Sequence, residues 1–170
     1  LRERMAISYG NKVSSANLAQ VVNTHHADRL GRLLADATMK GARVIHGGDH
    51  DGTRFAPTLI EAITPEMDIG HEEIFGPILP IMAYDDLSDV IAQINARPKP
   101  LSMYIFDKDR SRIDRIINET SSGSVGINLT LIQFIHNGLP FGAATGVRAL
   151  YDQRQTPDRH CQTGVGIDHV

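Results

Sequence analysis

The sequence predicts an α/β fold, a parallel sheet with flanking helices. Two observations carry that expectation. Between residues 78 and 128, short apolar runs alternate with segments whose apolar residues recur at helical spacing. The connections between these segments are short. A strand–helix–strand–helix–strand order with short links gives right-handed crossovers, and so parallel neighbours. The composition agrees: 170 residues are enough for one domain with a core, and 41% hydrophobic with 22% charged residues is ordinary for a globular chain.

Taken in order, residues 1–14 show no clear period. Ser14 or Ser15 can cap a helix with Leu18, Val21 and Val22 on its apolar face. A second helix is expected with Leu30, Leu33, Leu34 and Ala37 inward, ending at Gly41. Residues 42–46 read as a short strand, 47–52 as a surface turn, and Pro57 to Ile60 as the start of another extended segment. After a loop over 64–67 and the motif described below, residues 78–84 read as a strand. Asp85 or Asp86 caps a helix whose inner face is Leu87, Val90, Ile91 and Ile94, with Pro98 and Pro100 ending it. Residues 101–106 form a strand. Ile113, Ile116 and Ile117 mark a helix that stops near 121–123, and residues 124–128 form a last strand. Ligands of parallel sheets gather outside the carboxyl ends of the strands, and Asn128 lies at such an end.

Several function classes are disfavoured. A net charge of −3 without a long basic run argues against nucleic-acid binding. The apolar stretches are interrupted well short of a membrane span. Residues 1–5 carry no apolar signal core, so a secretory leader is not expected. The one cysteine, Cys161, excludes an internal disulfide framework and fits a reducing compartment, and a cytoplasmic location is expected. His46, Asp49, His50 and Asp51 surround a glycine-rich turn but lack ligand spacing, so a polar turn is the simpler reading and no metal site is expected. His25 and His26 are expected on or near the solvated face of their helix.

The sequence 71–77, His-Glu-Glu-Ile-Phe-Gly-Pro, is the most informative stretch. Gly76 tolerates any φ and Pro77 fixes φ, so the turn holds Glu73 and Phe75 in set directions before the next strand. A carboxylate and an aromatic face two residues apart can clasp a flat polar ligand such as a ribose with its attached ring. This stretch resembles the signature of the aldehyde dehydrogenase superfamily. The resemblance continues in family order through residues 23–30, 41–48, 57–59, Met67, 100–106, 122–123, Asn128 and 139–142, and covers roughly residues 11–142. The wording of 94–101 is similar to class 3 and coniferyl-aldehyde-type enzymes.

The resemblance implies oxidation of an aldehyde to its carboxylic acid with NAD or NADP. It places Glu73 and Phe75 at the nicotinamide-side ribose and ring, and Asn128, Gln133 and Phe141 on the substrate side. In the family a cysteine thiolate attacks the aldehyde and a glutamate assists thioester hydrolysis. Both are expected upstream of the matching region, as is the dinucleotide-binding half, so the chain is expected to be a C-terminal catalytic-domain part, inactive alone. No catalytic residue is therefore assigned. Cys161, beside His160, reads as an incidental tail residue. The pocket segment departs from the family branch at Leu129 and Gln133, which leaves substrate preference open. Residues 1–142 are expected to be the catalytic-domain part. Residues 143–170 are a divergent tail, with a frame shift, a replaced terminus or disorder as alternatives. The implied partner is a small-molecule aldehyde, and a homo-oligomer is left open. The rival reading is a non-catalytic α/β fragment that associates with itself or with a complementary segment.

Overall fold

The structure, a computed structural model, describes residues 1–10, 13, 15–131 and the backbone of 149–152. It divides into two units, Leu1–Ala83 and a second that begins at Tyr84. The first unit opens with helix α1, Arg2–Tyr9, which buries no residue, in line with the absent apolar period. The helix expected around Leu18, Val21 and Val22 does not form. The Val21 amide instead donates to the Thr53 carbonyl at 2.8 Å, and Val22 is 83% exposed, so the spacing there was coincidental. Helix α2, Thr24–Met39, carries the expected inward face, and the Asn23 side chain caps it by accepting from the His26 amide at 2.8 Å. Gly41 follows at φ 101°, where the helix stops.

Strand β1, Arg43–His46, pairs antiparallel with β4, Thr58–Glu61, and β4 pairs parallel with β5, Ile78–Ile81. Between β1 and β4 the expected turn holds a small antiparallel hairpin, β2, His50–Asp51, with β3, Arg54–Phe55. Leu30, Leu34, Ala37, Phe55, Ile60, Met67, Ile69 and Ile78 form the buried core of this unit.

In the second unit, α3, Leu87–Asn95, is capped by Asp86, and α4, Arg110–Glu119, by Asp109. Strand β6, Ser102–Ile105, pairs parallel with β7, Ser124–Ile127, which pairs parallel with β8, Ala149–Asp152. Its core is Ile105, Ile113, Val125 and Ile127. The α/β class and the parallel pairing of β6 with β7 hold, but the expected single parallel sheet that also takes in β5 does not. β5 belongs to a sheet with β1 and β4, separate from β6–β7–β8, and in that sheet β1 runs antiparallel to β4. Apolar runs say that a strand is buried; they do not say beside which strand it lies. β8 falls in the segment read as a tail without period.

Candidate functional site

The loop before β5 is held at both ends. A 3-10 turn, Asp68–Gly70, receives the Glu72 amide on the Asp68 carbonyl at 2.9 Å. At the far end the Thr58 amide donates to the Pro77 carbonyl at 2.7 Å. Gly76 is required where the loop crosses α2: a Cβ there would fall 2.6 and 2.7 Å from the Leu30 methyl carbons, inside contact distance. Phe75 sits at φ 48°, a left-handed conformation uncommon for an aromatic residue, and is 76% exposed. Glu73 is also exposed, and its carboxylate has no hydrogen bond or ion pair among the described residues. The sequence-predicted pair is therefore brought together on one anchored loop, with both side chains open to solvent. An apolar cavity of about 930 Å³ lies against Phe75, lined also by Met5, Tyr9, Leu18, Val22 and Leu79.

Two anchors escaped the sequence reading. His26, at the edge of the solvated face, is half-buried, and its Nε2–H donates to the Phe75 carbonyl at 2.7 Å. Arg29 donates from Nη1 to the Glu73 carbonyl and to Glu72 Oε2, each at 3.2 Å, and from Nη2 to the Ile74 carbonyl. The ion pair itself contributes little, about 0–1 kcal/mol, since the side chains are 21% and 51% exposed. The carbonyl contacts matter for geometry: they turn three successive peptide oxygens toward α2. The available signal was the i, i+3 spacing of His26 and Arg29 beside the buried Leu30 stripe.

Asn128, in the second unit, follows β7 at φ 57°. Its Oδ1 accepts from the Asp107 amide at 3.1 Å and its Nδ2 donates to the Asp107 carbonyl at 2.9 Å. Both ends of the amide are engaged in tying β7 to the loop before α4. Arg112 grips the Asp107 carboxylate with Nε and Nη2, each at 2.9 Å. That hydrogen bonding, then the Asp109 amide, holds the Asp107 carboxyl down to about 2. A depressed carboxyl stabilises the fold above its ordinary value of 3.8, and that support is lost as pH falls through about 2. The Arg112→Ala variant is expected to raise the Asp107 titration toward its ordinary value, and carboxyl-carbon NMR checks this.

Gln133, Phe141, His160 and Cys161 lie outside the described residues. Among the described residues there is no cluster of three metal-ligating side chains and no helix long and apolar enough to cross a membrane.

The sequence model of the "Aldehyde dehydrogenase family" matches residues 1–148. The chain is 42% identical over 134 residues to aldehyde dehydrogenase family 3 member F1 of Arabidopsis thaliana, covering 78% of this chain and 28% of that protein. It is 35% identical over 145 residues to the coniferyl aldehyde dehydrogenase of a Pseudomonas species, covering 81% and 30%. Among solved structures, the substrate-bound AldH of Staphylococcus aureus superposes with a TM-score of 0.76 at 40% identity, over 82% of this chain and 31% of that one. The chain thus spans about three tenths of the length of the curated relatives it matches.

Proposed function

The chain belongs to the aldehyde dehydrogenase family, and from that membership we propose that it supplies the nicotinamide-side part of a site that oxidises an aldehyde to its carboxylic acid with NAD or NADP. The family uses NAD(P). When bound, the dinucleotide accepts the hydride leaving the aldehyde carbon. The observation that carries the reading is the pairing of a Glu73 carboxylate that has no partner among the described residues with a solvent-facing Phe75 on a loop fixed by α2. An ionised carboxylate only accepts hydrogen bonds, which suits ribose hydroxyls, and the phenyl face suits a flat ring. An aromatic residue left exposed at positive φ is costly unless something covers it in use.

On the aldehyde side the same proposal places Gln133 and Phe141. Asn128 contributes there by shaping the end of β7, since its amide is already engaged by Asp107. A cytoplasmic location belongs to the same reading. The rival fragment reading gives Glu73 and Phe75 no task, and no observation favours it.

The test is a hybrid in which this chain replaces the matching segment of the Staphylococcus aureus relative, assayed for reduced cofactor with an aromatic and an aliphatic aldehyde. Glu73→Gln is expected to raise the cofactor KM at least tenfold, the loss of one charge-assisted hydrogen bond of about 1.5–3 kcal/mol, with the aldehyde KM unchanged. Phe75→Ala is expected to act in the same direction. Unchanged cofactor KM in both variants would refute the assignment.

A further inference from the structure

We propose that His26 and Arg29 of α2 are positioning residues for the dinucleotide end of the site, a reading that rests on the assignment of Glu73 and Phe75 to that end. The two side chains, three positions apart on one face of α2, hold four consecutive residues of the loop: Glu72 by its carboxylate, and Glu73, Ile74 and Phe75 by their carbonyls. They also touch each other, the Arg29 Nε–H pointing at His26 Nδ1 at 3.5 Å, the outer limit of a hydrogen bond. That contact agrees with the tautomer the Phe75 carbonyl demands, with the proton on Nε2.

The consequence for function follows from backbone geometry. With three successive carbonyls drawn to the helix, the Glu73 and Phe75 side chains are left on the open side. Phe75 is held at φ 48°, and the hold on its own carbonyl by His26 opposes relaxation to negative φ, a rotation that would re-aim the ring. Arg29 suits this task because its guanidinium is a planar fork with donors on three nitrogens, which reach four acceptors here. A lysine keeps the charge but carries its donors on one atom and cannot span the same carbonyls. The device therefore depends on shape, and a charge-conserving substitution reveals it.

The experiment compares Arg29→Lys, His26→Ala and His26→Gln. In the full chain, cleavage after Glu72 or Glu73 by a glutamate-specific protease reads the hold on the loop without any cofactor. Arg29→Lys and His26→Ala are expected to be cut there about tenfold faster, while His26→Gln, whose amide keeps a donor near the Nε2 position, stays close to the parent. In the hybrid enzyme, the first two variants are expected to weaken cofactor binding about tenfold with the aldehyde KM unchanged, and His26→Gln to restore it. If Arg29→Lys does not fold, the His26 pair makes the same comparison. Parent-like cleavage and cofactor affinity in Arg29→Lys and His26→Ala, with Glu73→Gln still impaired, would overturn the clamp and leave the cofactor assignment standing. Parent-like cofactor affinity in Glu73→Gln alongside fast cleavage in Arg29→Lys would overturn the cofactor assignment, and the positioning role with it.

Discussion

Gly47→Ala is expected to destabilise the chain by roughly 2–5 kcal/mol, the sum of about 1–2 kcal/mol for a left-handed alanine and about 1–3 kcal/mol for overpacking. Gly47 follows β1 at φ 71°, where an L side chain is strained in any surroundings. The surroundings are also closed. A Cβ there would lie 2.2 Å from the Pro57 carbonyl oxygen and 3.0 Å from the Thr58 Cα, both main-chain atoms that cannot swing aside as a side chain can. The segment it would displace is tied down. The Gly48 amide donates to the buried Thr58 hydroxyl at 2.9 Å, and that hydroxyl donates to the Ala56 carbonyl at 2.7 Å. Thr58 in turn holds Pro77, so the disturbance reaches the far end of the Glu73 loop. Urea unfolding followed by circular dichroism measures the change. A midpoint within error of the parent would mean that β1 and β4 do not approach this closely.

Much of this architecture was legible in the residues, and the parts that were not share a physical cause. Helices α2, α3 and α4 each begin at an Asn or Asp that accepts main-chain N–H bonds and carry their apolar residues on one side, so local chemistry specified them. Leu18, Val21 and Val22 have the same spacing, yet the Val21 amide is used by Thr53, a partner no local pattern announces. Strands β2 and β3 are too short to show a period of two. For the loop, the role of Glu73 and Phe75 is what the family resemblance implies, while their exposed placement ahead of β5 was readable because turn residues fix it locally. Their holders were not: the Arg29–Ile74 contact spans 45 positions of sequence, and a helical arginine looks alike whether it faces water or a distant carbonyl.

The contact between Gly76 and Leu30 makes the docking of the loop on α2 measurable as a coupling energy. Leu30 is fully buried, so Leu30→Ala is expected to cost about 2–5 kcal/mol through lost burial and a residual cavity. Gly76→Ala is expected to cost about 1–3 kcal/mol, because its methyl would meet Leu30 carbons at 2.6 and 2.7 Å and neither the packed leucine nor the anchored loop yields easily. The double variant places the new methyl in the space the leucine vacates. Its cost is expected to fall short of the sum of the singles by about 1 kcal/mol or more, a negative coupling that distant sites do not show. Cofactor affinity in the hybrid should follow a different order. Gly76→Ala lifts the loop and weakens it, Leu30→Ala leaves the loop on its anchors, and the double variant recovers most of the loss. Stability and binding would then be separated by one methyl group. Strict additivity in the unfolding energies would instead mean that Gly76 does not rest on Leu30, and the aim of Glu73 and Phe75 would have to be derived from another contact.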